Sequence, residues 1–384
     1  MSNERIPLAR PVLGEREEEL VLEVLRSGML SLGPMLGRFE EAFAERIGVE
    51  DAVAVSSGTT ALHLAVRELG WGAGDEVLTT PLSFVASSNC LLFEDARPVF
   101  CDVDPATLTL DPEAAAAAAG EATAGILPVH IFGFPAAIGR LEEIAAGRGL
   151  GVLEDCAQAL GTRDADGREA GSRGSPAAFA FYANKQMTTG EGGMLVPGST
   201  EGAAVARSER NQGRAPGMKL MDHERLGFNY RLTDLAAALG IAQLERLDEM
   251  LAARAEMAAD YSRRFAALGA AEPGAGDPDD LVLPLADRGD ERRSWFVYIL
   301  RLPPAIDRDG VIAELDRRGI DARPYLPCIH LFGFYRERFG GREGQFPVAE
   351  DFSRRSLALP FYPGLGEEAR ERVVAAVAQI LGRA

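Results

Sequence analysis

Cysteine and histidine are both scarce, with four of each in a chain of 384 residues. Cys90, Cys101, Cys156 and Cys328 include no C-x-x-C pair, and the histidines fall at no metal-ligand spacing. That argues against a zinc module or a disulfide framework. Free, buried thiols in a reducing cytoplasm are the expectation. Cationic residues are in deficit: 40 Lys and Arg against 58 Asp and Glu leave a formal net charge of −18. This balance argues against nucleic acid as a partner, and an anionic ligand would need a local basic patch. No apolar run approaches the ~18 residues needed to span a bilayer. The opening MSNERIPLAR is polar and lacks a signal region. The expectation is a cytoplasmic protein with no membrane partner. The first strand is followed by Ser56-Ser57-Gly58-Thr59 and not by the G-x-G-x-x-G turn of a dinucleotide-binding Rossmann unit. What remains is an ordinary globular composition, 47% hydrophobic and 26% charged, in a chain long enough for two domains with a sizeable core.

The most informative stretch is Ala178 to Met194, AFAFYANKQMTTGEGGM. Its single lysine, Lys185, lies between two strand-like apolar runs, Ala177 to Tyr182 and Met194 to Val196. A buried lysine loses proton affinity, and a neutral amine attacks carbonyls. Schiff-base chemistry with pyridoxal 5′-phosphate (PLP) requires such an amine. Taken alone, the stretch equally admits a turn lysine with its head in water. Upstream, Gly151 to Glu154 reads as a short buried strand with Asp155 at its carboxyl end. Ligands sit at the carboxyl ends of strands in open α/β sheets, and a PLP enzyme needs a carboxylate there to keep the pyridine nitrogen protonated. Asp155 could also be a helix N-cap. Further upstream, Val55 to Leu62 reads as strand, small hydroxyl residues with a glycine, then helix. Exposed N–H groups at a helix start hold phosphate. Phosphate loop, strand-end aspartate and lysine follow in that order, and together they favour PLP over any bland reading of one motif.

The carrying residues are Ser57-Gly58-Thr59-Thr60-Ala61-Leu62, Pro81 to Ala86, Glu154-Asp155-Cys156-Ala157-Gln158, Phe181 to Lys185, Gly190-Glu191-Gly192-Gly193 and Gly227-Phe228-Asn229-Tyr230-Arg231. In this ordered set the chain resembles the DegT/DnrJ/EryC1/StrS aminotransferases over nearly its whole length. The resemblance implies an α/β fold of the aspartate-aminotransferase-like type (PLP fold type I), with a mostly parallel central sheet, helices on both faces and a smaller C-terminal α+β domain. It implies Lys185 as the covalent anchor and proton-moving base, and Asp155 as the partner of the pyridine nitrogen. Gln158 would bond the phenolic oxygen, and Phe84 would stack on the pyridine face. Ser57, Gly58 and Thr59 would hold the phosphate, and Asn229 would reach it from the other subunit of a homodimer with shared sites. Lys219, Arg231 and His330 are candidates for contacts with substrate or donor, although each could be a surface charge or a structural histidine. Glu191 is expected to shape its turn. One position departs from the family: Ala180 stands where many members carry a serine that contacts the phosphate.

The implied reaction moves an amino group from L-glutamate to a keto carbon, C-4 by the pattern around Lys185, of a nucleotide-linked keto-deoxy sugar. The alternatives are the same chemistry on a 3-keto sugar or a cyclitol ketone, or a non-catalytic PLP-binding or regulatory protein of this fold.

The chain reads as repeated β-α units from Ala52 to Glu154, the pattern of a parallel sheet covered on both faces. Residues 211–230 read as a long loop and 233–267 as a long, bent helical stretch. The domain boundary is expected within that stretch, giving a large domain over 1–250 and a small one over 251–384.

Overall fold

Short runs of apolar residues without alternation become strands covered on both sides. In the computed structural model, which describes residues 4–215, 222–277 and 279–383, these are β1 (Val53–Val55), β2 (Glu76–Thr79), β3 (Arg97–Phe100), β4 (Thr123–Leu127), β5 (Gly151–Val152), β6 (Glu154–Asp155), β7 (Ala177–Ala180) and β8 (Gly193–Val196). One ladder runs β3-β2-β4-β5, all parallel, and the other β1-β8-β7-β6. β5 and β6 are successive pieces of one run, and a parallel bridge from Val129 to Asp155 joins the two ladders. β8 is antiparallel to both of its neighbours, β1 and β7. The sheet is thus mostly parallel, and among the described residues β8 is its one reversed strand.

Neighbouring strand residues divide between two cores, as a period of two requires. Val53, Val55, Ala178 and Leu195 join one core with Leu62 and Leu64. Ala54, Phe179, Met194 and Val196 join the other, with Leu20, Phe39 and Ala238. The first face is covered by α3 (Gly58–Glu68), preceded in the chain by α1 (Glu15–Ser27) and α2 (Pro34–Ile47), which cover the second. Beneath β7, Phe43 meets Phe179 edge-on at 5.1 Å and Phe39 meets Phe181 at 5.6 Å. Each such pair adds about 0.5–1.5 kcal/mol beyond its buried area, which stiffens the strand that leads into Lys185.

Onward from β2 the chain forms α4 (Ala86–Leu92), α5 (Pro112–Ala118), α6 (Ile138–Ala146) and α7 (Thr200–Glu209). The long helical stretch breaks at Arg246 into α8 (Asp234–Glu245) and α9 (Leu247–Ala266). A further core gathers Met257, Tyr261 and Phe265 of α9 with Tyr298 and Leu300 of β9 (Tyr298–Arg301) and Leu357 and Leu359 of β10 (Ser356–Leu359). Val311, Leu315, Val373 and Val377 close it, from α10 (Arg308–Arg317) and α13 (Glu367–Ile380); between these lie α11 (Gly333–Phe339) and α12 (Pro347–Arg355). Residue 250, where the division is expected, lies inside α9. Ile6 packs in this last core, and its backbone exchanges hydrogen bonds with Gly319 and Asp321 at 2.9 and 3.0 Å.

The expected loop 211–230 is paired at its described ends: Asn211 bridges Asn229, and Arg214 bridges His223. All four cysteines are free and buried. Among the described residues no helix is long and apolar enough to cross a membrane.

Candidate active site

A cleft of about 350 Å3 opens where the carboxyl ends of β6 and β7 meet the start of α3. Ser57 caps that helix: its Oγ accepts from the Thr60 amide at 3.2 Å, and Thr60 Oγ1 accepts from the Ser57 amide at 3.1 Å. Helix geometry leaves the first-turn amides of Gly58 and Thr59 without intrahelical carbonyls, and both residues line the cleft. A Cβ on Gly58 would lie 2.5 Å from the Cβ of Ala180, so only glycine lets the helix start approach β7 this closely.

Asp155 closes the cleft floor, 3% exposed. Its Oδ2 accepts from Ser87 Oγ at 2.6 Å, and its Oδ1 accepts from the Ala157 amide at 3.0 Å. Ser83 Oγ lies 2.7 Å from Ser87 Oγ, so the two hydroxyls form a chain that ends on the carboxylate. Burial pushes the Asp155 carboxyl up from its ordinary value, while Ser87, Ala157 and the charge of Lys185 pull it back. A cationic ring nitrogen is the partner such a carboxylate lacks. Gln158 takes the Phe132 amide on its Oε1 at 2.9 Å. That leaves its NH2 end for a ligand oxygen.

Lys185 sits in a turn, its amide donating to the Tyr182 carbonyl at 3.0 Å. Burial lowers its ammonium to about 8, against the pull of Asp155. The Nζ lies 4.2 Å from the ring centroid of Phe296. Buried Arg254 donates to the carbonyls of Lys185, Trp295 and Phe296 at 3.2–3.3 Å, holding the lysine turn against the segment that supplies that ring. Phe84 borders the cleft and is 59% exposed, a large apolar face for a phenylalanine to leave uncovered. Glu191 reaches the cleft wall from its turn, where its carbonyl accepts from Thr189 Oγ1.

The cleft therefore gathers Lys185, Asp155, Gln158, Phe84, Ser57, Gly58 and Thr59. Asn229 and Arg231 are elsewhere: Asn229 is exposed, and Arg231 donates to Asn211 Oδ1 at 3.0 Å. Lys219 lies outside the described residues. His330 is also elsewhere. It is 2% exposed, its Nε2 lies 3.2 Å from Glu350 Oε1, and its ring packs edge-on against Phe346 at 4.8 Å. It lies off the walls of the lysine cleft, in an aromatic pocket with Phe100 and Tyr335. Burial lowers its basicity against the pull of Glu350, as expected of a structural histidine. The sequence assigns no role to Ser83, Ser87, Arg254 or Phe296. Serines four apart in an apolar stretch were a faint signal for the first two, whereas nothing near Phe296 in sequence points to Lys185.

The residues present suit PLP: a helix start with free first-turn amides on the cleft wall, a buried carboxylate, a carbonyl-reactive amine and an uncovered aromatic face. The sequence model of the DegT/DnrJ/EryC1/StrS aminotransferase family matches residues 11–378. The chain is 38% identical to GDP-perosamine synthase of Caulobacter vibrioides, over 98% of each chain. It is 36% identical to the spore coat polysaccharide biosynthesis protein SpsC of Bacillus subtilis, over 99% of this chain and 98% of that one. Among solved structures, a ketimine complex of S. venezuelae DesV superposes with a TM-score of 0.89 at 35% identity, covering 99% of this chain and 100% of that one. The chain belongs to the DegT/DnrJ/EryC1/StrS aminotransferase family and is a PLP-dependent sugar aminotransferase.

Proposed function

We propose that the chain transfers the amino group of L-glutamate to the C-4 keto carbon of a nucleotide-linked keto-deoxy sugar, and that it works as a homodimer with shared sites. The observation that carries this reading is the near full-length similarity to GDP-perosamine synthase, joined to a cleft that gathers Lys185, Asp155, Gln158, Phe84 and the start of α3 on one wall. PLP supplies an electron sink for the carbanion formed at the amino-bearing carbon. The chain's residues do the rest. Lys185 Nζ, with its basicity lowered to about 8, gives up and takes back protons near neutral pH. Asp155 keeps the ring nitrogen protonated, held in place by Ser87 and the Ala157 amide. Gln158 donates to the phenolic oxygen, and Phe84 covers one ring face. The amides of Gly58 and Thr59 and the Ser57 hydroxyl take the phosphate, joined by Asn229 of the second copy. Arg231 and Lys219 are the candidate cations for the anionic substrate in a chain of net charge −18.

Two measurements test this. L-glutamate should bleach the visible band of the PLP-loaded protein, and a panel of nucleotide keto-sugars should then restore it, with the aminated product identified by mass and carbon position by NMR. Restoration only by a 3-keto sugar or a cyclitol ketone would replace the substrate assignment, and a band unmoved by any amino donor would refute catalysis. A second prediction concerns Ala180. A serine there would place a hydroxyl beside the cradle, against the α3 start. One added hydrogen bond of ~1 kcal/mol should tighten PLP by roughly fivefold in equilibrium titration. Unchanged affinity would mean that the hydroxyl does not reach the phosphate.

A further inference from the structure

Residues 228–231 run extended, so their side chains alternate between two sides. Phe228 and Tyr230 turn inward onto α3 and stack on each other, 4.8 Å apart and 8° from parallel. His63, 3% exposed, lies 4.9 Å from the Phe228 ring. Its Nδ1 is 3.0 Å from Tyr230 Oη and its Nε2 is 2.7 Å from Glu94 Oε1. An ionised carboxylate only accepts, so Nε2 carries the proton, and Nδ1 accepts from the tyrosine hydroxyl. One helical turn further on, Arg67 ties Glu94 at 2.9 Å and Glu209 at 2.8 and 2.9 Å, with its guanidinium 5.3 Å from the Phe228 ring. The segment's backbone is also laddered: Ser56 donates to the Tyr230 carbonyl at 2.8 Å, and Tyr230 donates to the Arg210 carbonyl at 2.9 Å. The other two side chains, Asn229 and Arg231, fall on the opposite side, away from α3 and off the walls of their own cleft.

We propose that His63 is a positioning residue: by fixing the Tyr230 hydroxyl it aims Asn229 and Arg231 at the cleft of a second copy of this chain. This rests on the shared-site homodimer proposed above. The inward pair supplies adhesion through its rings, whereas the His63–Tyr230 bond supplies rotation and register. One hydroxyl therefore governs a contact made in the other copy's site. The same helix begins at the phosphate cradle of its own cleft, so an effect on PLP could arise within a copy or across copies, and the two must be separated.

Mixed dimers separate them. One copy carries Lys185→Ala, so that PLP retained after borohydride reduction reports only the other copy's cleft. Adding Tyr230→Phe to the Lys185→Ala copy should weaken PLP binding at the intact cleft roughly fivefold, the worth of one hydrogen bond. His63→Leu in the same copy should do the same. His63→Asn, which keeps an acceptor near the Nδ1 position, should recover part of the loss. Tyr230→Phe placed instead in the lysine-bearing copy should leave that cleft's affinity unchanged. Loss within the copy and none across would overturn the proposal and make His63 a support of its own cradle. Asn229→Ala in the Lys185→Ala copy is the reference. If it weakens PLP across copies while the Tyr230 and His63 variants do not, the positioning role fails and the shared site stands. If it has no effect, the shared site itself fails.

Discussion

Lys185→Ala should abolish amino transfer, with turnover down roughly 10⁴-fold or more, the upper range for losing a positioned acid–base group. The fold should persist, because the side chain lines the cleft and belongs to none of the hydrophobic cores. Circular dichroism and thermal melting check the second half of that statement, and single-turnover assays the first. The intact protein makes a related prediction about pH. Burial lowers the Lys185 ammonium from 10.5 to about 8, so the neutral amine dominates only above that value. The rate at which PLP-free protein captures PLP covalently should therefore rise with pH through about 8 and then level. A midpoint near that of an ordinary lysine would mean that the turn opens to water and that the burial is not maintained in solution.

Asp155→Asn should cost roughly 10²–10⁴-fold in turnover, the equivalent of the ~3–5 kcal/mol lost when one partner of a buried ion pair is removed. The substitution keeps the shape of the side chain and deletes the charge that would hold the ring nitrogen protonated. Stability should move the other way or not at all. Burial raises the Asp155 carboxyl, so its charged form is favoured less in the folded chain than in the unfolded one. Above the raised value, ionised Asp155 lowers folding stability. Removing the charge should leave the melting temperature of the PLP-free protein at pH 7 equal or higher. A variant that loses activity and melts earlier would show Asp155 to be a structural cap, its effect on turnover a consequence of misfolding.

The parts of the site visible in the sequence are those built by local rules. A capped helix start after a strand, an aspartate ending a strand and a lysine between strands each occupy a few consecutive residues, and the β-α repeat dictates that they converge at one sheet edge. Three of them line one cleft for that reason. What was not legible depends on contacts between distant residues. Ser87 meets Asp155 across 68 positions and Arg254 meets Lys185 across 69, and no periodicity records either meeting. His330 sits in a turn-rich stretch that reads like a substrate loop, yet Glu350 and Phe346 arrive later in the chain and bury it. Among the elements, α7, α11 and α12 leave no clear mark in the sequence. Each is short, and α12 begins on Pro347 within a charged segment whose burial only the packed structure reveals. The partner of β9 leaves no clear mark either, since Ser356 to Leu359 is a four-residue run whose pairing with residues 298–301 sets its identity.

The seat of Ile6 in the last core has a consequence for the order in which the molecule is made. Its hydrogen-bonding partners, Gly319 and Asp321, are synthesised some three hundred residues later. At ~5–20 residues per second that is a wait of roughly 15–60 s. During it, the two cores that flank the sheet can assemble from residues already made, while the first residues stay unpaired. Leu8, whose carbonyl accepts from Phe361 at 2.9 Å, waits longer still. This segment is therefore made well before the partners it docks against and is among the last to find its place. A bulky domain fused just ahead of it would act on that final docking step and not on the site itself.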